Sequence, residues 1–463
     1  MKTDCHLDYE TVLCGRAEVV HLALAFKAEK QASARQTPFA FGLVIDNSGS
    51  MAGNPLEYAK SAATMVLKHL RDDDRFGLVV FSDSARTVVP LQVAKDKARL
   101  QALIADIHDE GSTNLTAGWM LGRDELAKTP AEIPRKLLLL TDGHLNQGIV
   151  EPAQVRLIVA SGLEKERIRT ACLGFGDGYN EDLLDELSKA ASGALHDAAS
   201  PEKFPAIFRQ ELESLLALSA QNLRVRIRKL HYCSGLGLLS DYPVVALPEG
   251  GIEIMVGDLV SEEQRVVVLA LEVLPIPPLA DGKPAASIEG EALLEIELAY
   301  DEITESGITS KTEQRTIRLV AVQDPADVRV NAQVVEWVAA QEVGRTISEA
   351  IAERDRGDID AVRRRLKATK DKLDRYGCAE STGKAVENLN AFEEASAEWG
   401  PRARKTSRAF SSRSRKTSSY YEAEAIGDPS SQQPPQAPPP PPDKPDDQVN
   451  PPKASEEPPA PGA

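Results

Sequence analysis

The chain has 463 residues, a formal net charge of −17 and 42% hydrophobic residues, which is enough for more than one buried core and too acidic overall to favour nucleic acid or an anionic membrane surface as a partner. No stretch reaches the roughly 20 consecutive apolar residues of a membrane span, and residues 1–8 lack the layout of a secretory signal, so the expectation is a soluble cytoplasmic protein. The cysteines Cys5, Cys14, Cys172, Cys233 and Cys378 form no CxxC pair and read as reduced thiols, and Cys5, His6 and Cys14 match no common zinc spacing.

In chain order, residues 1–37 alternate polar and apolar side chains, best over 18–26, and are expected to supply strands to a β-sandwich completed later in the chain. Residues 38–218 alternate apolar strand-like runs (39–46, 76–82, 136–142 and 168–176) with helical periodicity (56–70, 96–107, 116–126, 152–162, 181–191 and 201–218). That pattern predicts an α/β fold, a doubly wound and mostly parallel Rossmann-like sheet with helices on both faces. Residues 86–91 follow the turn Ser82-Asp83-Ser84 and predict an antiparallel edge strand.

Over residues 219–325 the period changes to two, as in Leu223-Arg224-Val225-Arg226-Ile227-Arg228, which predicts the β-sandwich and makes the α/β unit an insertion into an all-β host. Residues 326–398 predict a small helical unit with a turn at Arg356-Gly357-Asp358. Residues 399–463, rich in Ser and Arg and then in Pro, are expected to be disordered. In that tail, basic residues beside hydroxyls offer a Ser/Thr kinase substrates at Thr406 and Thr417, against the plainer reading of a solvated linker, and the run 438–442 reads as a spacer or a polyproline ligand.

Three loops fall at the carboxyl ends of the predicted strands, where open α/β sheets place their ligands. They are Asp46-Asn47-Ser48-Gly49-Ser50, Gly111-Ser112-Thr113-Asn114 and Thr141-Asp142-Gly143. Here the chain resembles, over residues 38–218, the von Willebrand factor type A (VWA) family, whose metal-ion-dependent adhesion site (MIDAS) joins a DxSxS loop, a distant threonine and a further aspartate. The resemblance implies that Ser48, Ser50 and Thr113 offer hydroxyl oxygens while Asp46 and Asp142 hold a metal directly or through water. An all-oxygen set with two carboxylates suits a hard cation, Mg²⁺ first and Mn²⁺ or Ca²⁺ as alternatives, and its residual charge invites an Asp or Glu of a partner protein. Asn114 and His144 read as structural or rim positions.

Taken singly, these residues also cap helices and turns, so the alternative is a structural scaffold with no functional metal. A metal-dependent hydrolase or phosphotransferase is the weaker reading: the haloacid-dehalogenase pattern needs a second Asp where Ser48 stands, and Ser48-Gly49-Ser50 lacks the flanks of a nucleophile elbow. The order of segments resembles bacterial relatives of the inter-alpha-trypsin-inhibitor heavy chain and calcium-activated chloride channel regulator groups. With no signal or membrane segment, that implies an intracellular scaffold or adaptor that binds protein and is not an enzyme.

Overall fold

A computed structural model describes residues 1–29, 38–130, 133–142, 148–149, 151–248, 250–277, 290–304 and 307–415. The chain opens with β1 (Lys2–Leu7), β2 (Thr11–Leu13) and β3 (Glu18–Lys27). Strand β3 is apolar on both sides and buries both: Val20, Leu22, Leu24 and Phe26 enter one core, while Ala23 and Ala25 enter another.

The chain then builds an α/β unit from β4 (Ala40–Asp46), α1 (Asn54–His69), β5 (Arg75–Phe81), β6 (Ala85–Val93), α2 (Lys97–Ala105), α3 (Leu115–Ala127), β7 (Arg135–Thr141), α4 (Pro152–Glu166), β8 (Ile168–Phe175), α5 (Glu181–Ala190), β9 (Leu195–Ala198) and α6 (Phe204–Leu216). Its sheet runs β6-β5-β4-β7-β8-β9, with every pairing parallel except that of β6 to β5. Every residue of β4 and of β7 is buried, as central strands covered on both faces must be. One face packs on residues of α1, α2 and α6, the other on residues of α3, α4 and α5. Helix α3 approaches the sheet closely because Gly118 and Gly122 face it: a Cβ at these positions would lie 2.5 Å from the Phe81 ring and 2.4 Å from Val44 Cγ2.

From α6 the chain passes into β10 (Leu218–Lys229), β11 (Cys233–Leu238), β12 (Val244–Ala246), β13 (Ile252–Val260), β14 (Gln264–Val273), β15 (Glu291–Thr304) and β16 (Gly307–Val322). These form two sheets, β1-β3-β14-β11 and β12-β13-β10-β15-β16-β2, whose inner faces share one core. The N-terminal strands therefore belong to both sheets, and the α/β unit is spliced between β3 and β10. On the outer face of β10, Arg226 pairs with Glu253 and Glu297 across the neighbouring strands.

Helices α7 (Ala332–Asp355), α8 (Ile359–Asp374) and α9 (Ala379–Ala397) follow. Val334 and Val338 of α7 pack on the second face of β3 and on β14. Further along, α7 shares a core with α8 and α9 through Ile347, Leu366, Leu389 and Phe392. Tyr376, in the α8–α9 turn, donates to Asp8 at 3.1 Å and fixes the helices to the start of the chain.

One expectation fails here. Disorder from residue 399 onward does not hold for Pro401–Ser414, which is a helix, α10, that buries Ala409 and Phe410. Its low apolar content hid it: its basic side chains Arg402, Arg404, Lys405 and Arg408 pair with carboxylates distant in sequence, and Thr406 sits half-buried on it. Thr417 and the proline run 438–442 lie outside the described residues.

A buried ionic cluster joins three elements of the α/β unit. Glu211 on α6 receives Lys136 Nζ of β7 at 2.5 Å and lies 2.6 Å from His196 Nε2 of β9. Burial alone would raise the Glu211 pKa, but Lys136 and His196 outweigh it and hold the carboxyl at about 2, while burial pushes the His196 pKa down. Both groups bind fewer protons folded than unfolded. Their contribution is therefore complete above the ordinary values of 4.5 and 6.5 and is lost as pH falls, for Glu211 between 4.5 and about 2. Glu211→Gln is expected to cost about 3 to 5 kcal/mol in urea unfolding at pH 7, with a smaller deficit near pH 3.

Candidate metal centre

Strand β4 carries Asp46 to the middle of the sheet, between β5 and β7. The chain then turns through a short 3₁₀ segment, Gly49–Met51, and enters α1 after Gly53, whose φ of 77° favours glycine. The first loop is tied to its neighbours by backbone bonds. Asn47 N–H donates to the Phe81 carbonyl at 3.0 Å, Glu110 N–H donates to the Asn47 carbonyl at 2.7 Å, and Gly49 N–H donates to the Gly111 carbonyl at 3.2 Å.

The second loop hangs on Asp83, which accepts from Ser112 N–H at 3.0 Å and from Ser112 Oγ at 2.6 Å. Gly111 has a φ of +66°, and a Cβ there would stand 2.5 Å from the Asp83 carboxylate. Asn114 accepts from Ala117 N–H at 3.2 Å and so caps α3. Thr113 is buried between these two anchored neighbours.

The third loop begins where β7 ends. Thr141 Oγ1 donates to Asp46 Oδ2 at 2.6 Å, and Ser48 N–H donates to Asp46 Oδ1 at 2.9 Å. Ser48 Oγ and Ser50 Oγ stand 3.1 Å apart, and Ser50 Oγ donates to Asp142 Oδ1 at 2.8 Å. A continuous chain of hydrogen bonds thus leads from fully buried Asp46, through the Ser48 N–H and then the Ser48 and Ser50 hydroxyls, to half-buried Asp142.

Of the five candidate residues, the structure joins Asp46, Ser48, Ser50 and Asp142 by hydrogen bonds and sets Thr113 in the loop bonded to theirs. Gly143 and His144 lie outside the described residues. Two contributors were not singled out from sequence. One is Thr141, whose inward hydroxyl cannot be told from its strand position. The other is Gly178 in the β8–α5 loop, where a Cβ would lie 2.7 Å from the Asp142 carbonyl oxygen.

Burial pushes the Asp46 pKa up to about 6, against the bonds from Ser48 and Thr141, and burial also raises that of Asp142. Among the described residues no Lys or Arg pairs with either carboxylate, and no group of three or more His, Cys, Asp and Glu forms a metal cluster elsewhere. The donor set, two carboxylates and three hydroxyls, fits a hard cation, and one buried and one half-buried acid without a countercharge leave a place for one. A cavity of about 60 Å³ lined by Arg135, Arg169 and Arg265 opens at the other end of the strands. Arg169 and Arg265 there already pair with Asp258 and Glu263.

A raised folded-state pKa means that the stabilising form of Asp46 is the protonated one. Its contribution is complete below 3.8 and is lost as pH rises through about 6. In the presence of chelator at pH 7.5, Asp46→Asn is therefore expected to melt a few degrees higher than the wild type, by about 1 kcal/mol, and the gain is expected to vanish near pH 4.

Residues 42–210 match the family model of the von Willebrand factor type A domain. The uncharacterized protein sll0103 of Synechocystis sp. is 30% identical over 262 residues, covering 54% of this chain and 61% of its own length. Human inter-alpha-trypsin inhibitor heavy chain H3 is 29% identical over 160 residues, covering 33% of this chain, which spans only 18% of that protein. The solved structure of a von Willebrand factor type A protein from Catenulispora acidiphila shares the fold over 90% of this chain and 96% of its own, with a TM-score of 0.67 at 18% identity. The α/β unit that carries these loops is accordingly a von Willebrand factor type A domain.

Proposed function

We propose that Asp46, Ser48, Ser50, Thr113 and Asp142 hold a divalent cation, Mg²⁺ in preference to Mn²⁺ or Ca²⁺, and that the occupied site captures an Asp or Glu side chain of a partner protein. The observation that carries this reading is the continuous chain of hydrogen bonds that links Asp46, Ser48, Ser50 and Asp142, with one end buried and the other half-exposed. Domains of this family are often metal-dependent protein-interaction modules.

In this reading Asp46, fixed by Thr141 and Ser48, supplies the buried negative charge. Ser48 and Ser50 turn their oxygens along the loop, and Asp142 closes the set from β7. When bound, the cation supplies positive charge and an open coordination position for an oxygen ligand. Without it, exposed Asp83 and Glu110 on the adjoining loops face an acidic partner with like charge.

Binding without catalysis is favoured because Ser48 stands where a haloacid-dehalogenase-type phosphotransferase carries its acid partner, and Ser48-Gly49-Ser50 lacks the flanks of a nucleophile elbow. An intracellular scaffold or adaptor role is part of the same reading, supported by five cysteines that all stand as free thiols. No described helix is long and apolar enough to cross a membrane.

Calorimetry with Mg²⁺ and Mn²⁺ tests the site. The wild type is expected to bind and Asp142→Ala to bind at least about tenfold more weakly. A partner retained on immobilised protein is expected to be released by chelator and not to be retained by Asp142→Ala. Equal metal binding by both proteins would leave a structural scaffold as the better account.

A further inference from the structure

Helix α10 lies across the N-terminal end of α5 and carries its basic side chains into it. Lys405 is 2% exposed, so its ammonium must find its acceptors inside the protein. It donates to the Tyr179 carbonyl at 2.7 Å and to Glu181 Oε2 at 2.7 Å, and it stands 3.9 Å from the centre of the Tyr179 ring. Around it, Arg402 pairs with Asp197, Arg404 with Asp182 and Asp355, and Arg408 with Asp182.

The residue that Lys405 holds has little freedom. The Tyr179 hydroxyl donates to Asp197 at 2.8 Å, and its ring occupies the space a Cβ on Gly174 would need, 2.4 Å away. Its chain neighbour Gly178 is the one pressed against the Asp142 carbonyl, and Asp142 in turn accepts from Ser50. A single path of contacts therefore runs from Lys405 through Tyr179 and Gly178 to Asp142 and Ser50.

We propose that α10 is a strap whose Lys405 positions Asp142 through the β8–α5 loop and thereby sets the metal affinity of the site; this rests on the metal reading above. Lys405 touches no metal ligand and acts as a positioning residue. Coupling of two sites is reciprocal, so a bound cation tightens the strap, and a partner that draws α10 away loosens the site.

The test uses the full chain carrying Lys405→Met, with Lys370→Met as the control, since Lys370 pairs with Glu393 within the helical unit. Two quantities are read: Mg²⁺ affinity by calorimetry, and amide hydrogen exchange at Ser48 and Gly49 in metal-free protein. Lys405→Met is expected to weaken Mg²⁺ binding about five- to tenfold and to speed exchange at Ser48 and Gly49, with Lys370→Met changing neither. Unchanged affinity and exchange in Lys405→Met, or equal changes in the control, would overturn the proposal. If the wild type itself binds no Mg²⁺, the metal reading fails and the exchange arm decides alone: faster exchange at Ser48 upholds the strap's hold on the loop, and unchanged exchange overturns it. Should Lys405→Met not fold, Arg404→Gln on the more open side of α10 is read in the same way.

Discussion

The rest of the structure turns on one buried carboxylate. Asp46 ends a strand that is buried along its whole length, and the two hydrogen bonds it accepts offset only part of the cost of holding a charge there. A sequence selected for stability alone would place an apolar residue at that strand end. The protein instead anchors the loop through Phe81, Glu110 and Gly111, and surrounds the acid with hydroxyls. A local cost met by so much supporting structure is what the proposed metal site would account for, since a bound cation would offset the buried charge.

The surrounding architecture holds that site at two separate points. The α/β unit leaves the β-sandwich after β3 and returns to it at β10, so both its ends continue into strands of the host. Its far side is gripped by α10, which reaches it only after the chain has built the whole helical unit. The second attachment is ionic, with Arg402, Arg404, Lys405 and Arg408 facing Asp197, Asp182 and Glu181, so it responds to salt and to charged competitors. The ionic attachment is the one next to the site.

The fold class was legible because its signals are periodic. Buried runs ending in Asp46 and Thr141, with helical spacing between them, describe a doubly wound sheet with little ambiguity. Two strands of the sandwich escaped notice, β11 for its two glycines and β12 for its brevity, and β9 was missed because four residues show no period. The site was legible to the extent that its residue types are adjacent in sequence. Asp46, Ser48 and Ser50 announce themselves, whereas Thr141 and Gly178 matter only through where the sheet puts them. The helix at Pro401–Ser414 was hidden for a different physical reason. Its ordering comes from carboxylates far away in sequence, at Glu181, Asp182 and Asp355, which no local window contains.

The most direct measurement is anomalous diffraction from crystals grown with Mn²⁺. The account predicts a single strong peak within coordination distance of oxygens from Asp46, Ser48, Ser50, Thr113 and Asp142, with that peak absent from Asp46→Asn crystals grown in the same way. A wild-type crystal with no peak at this position at saturating Mn²⁺, or with the metal bound elsewhere on the chain, would contradict it.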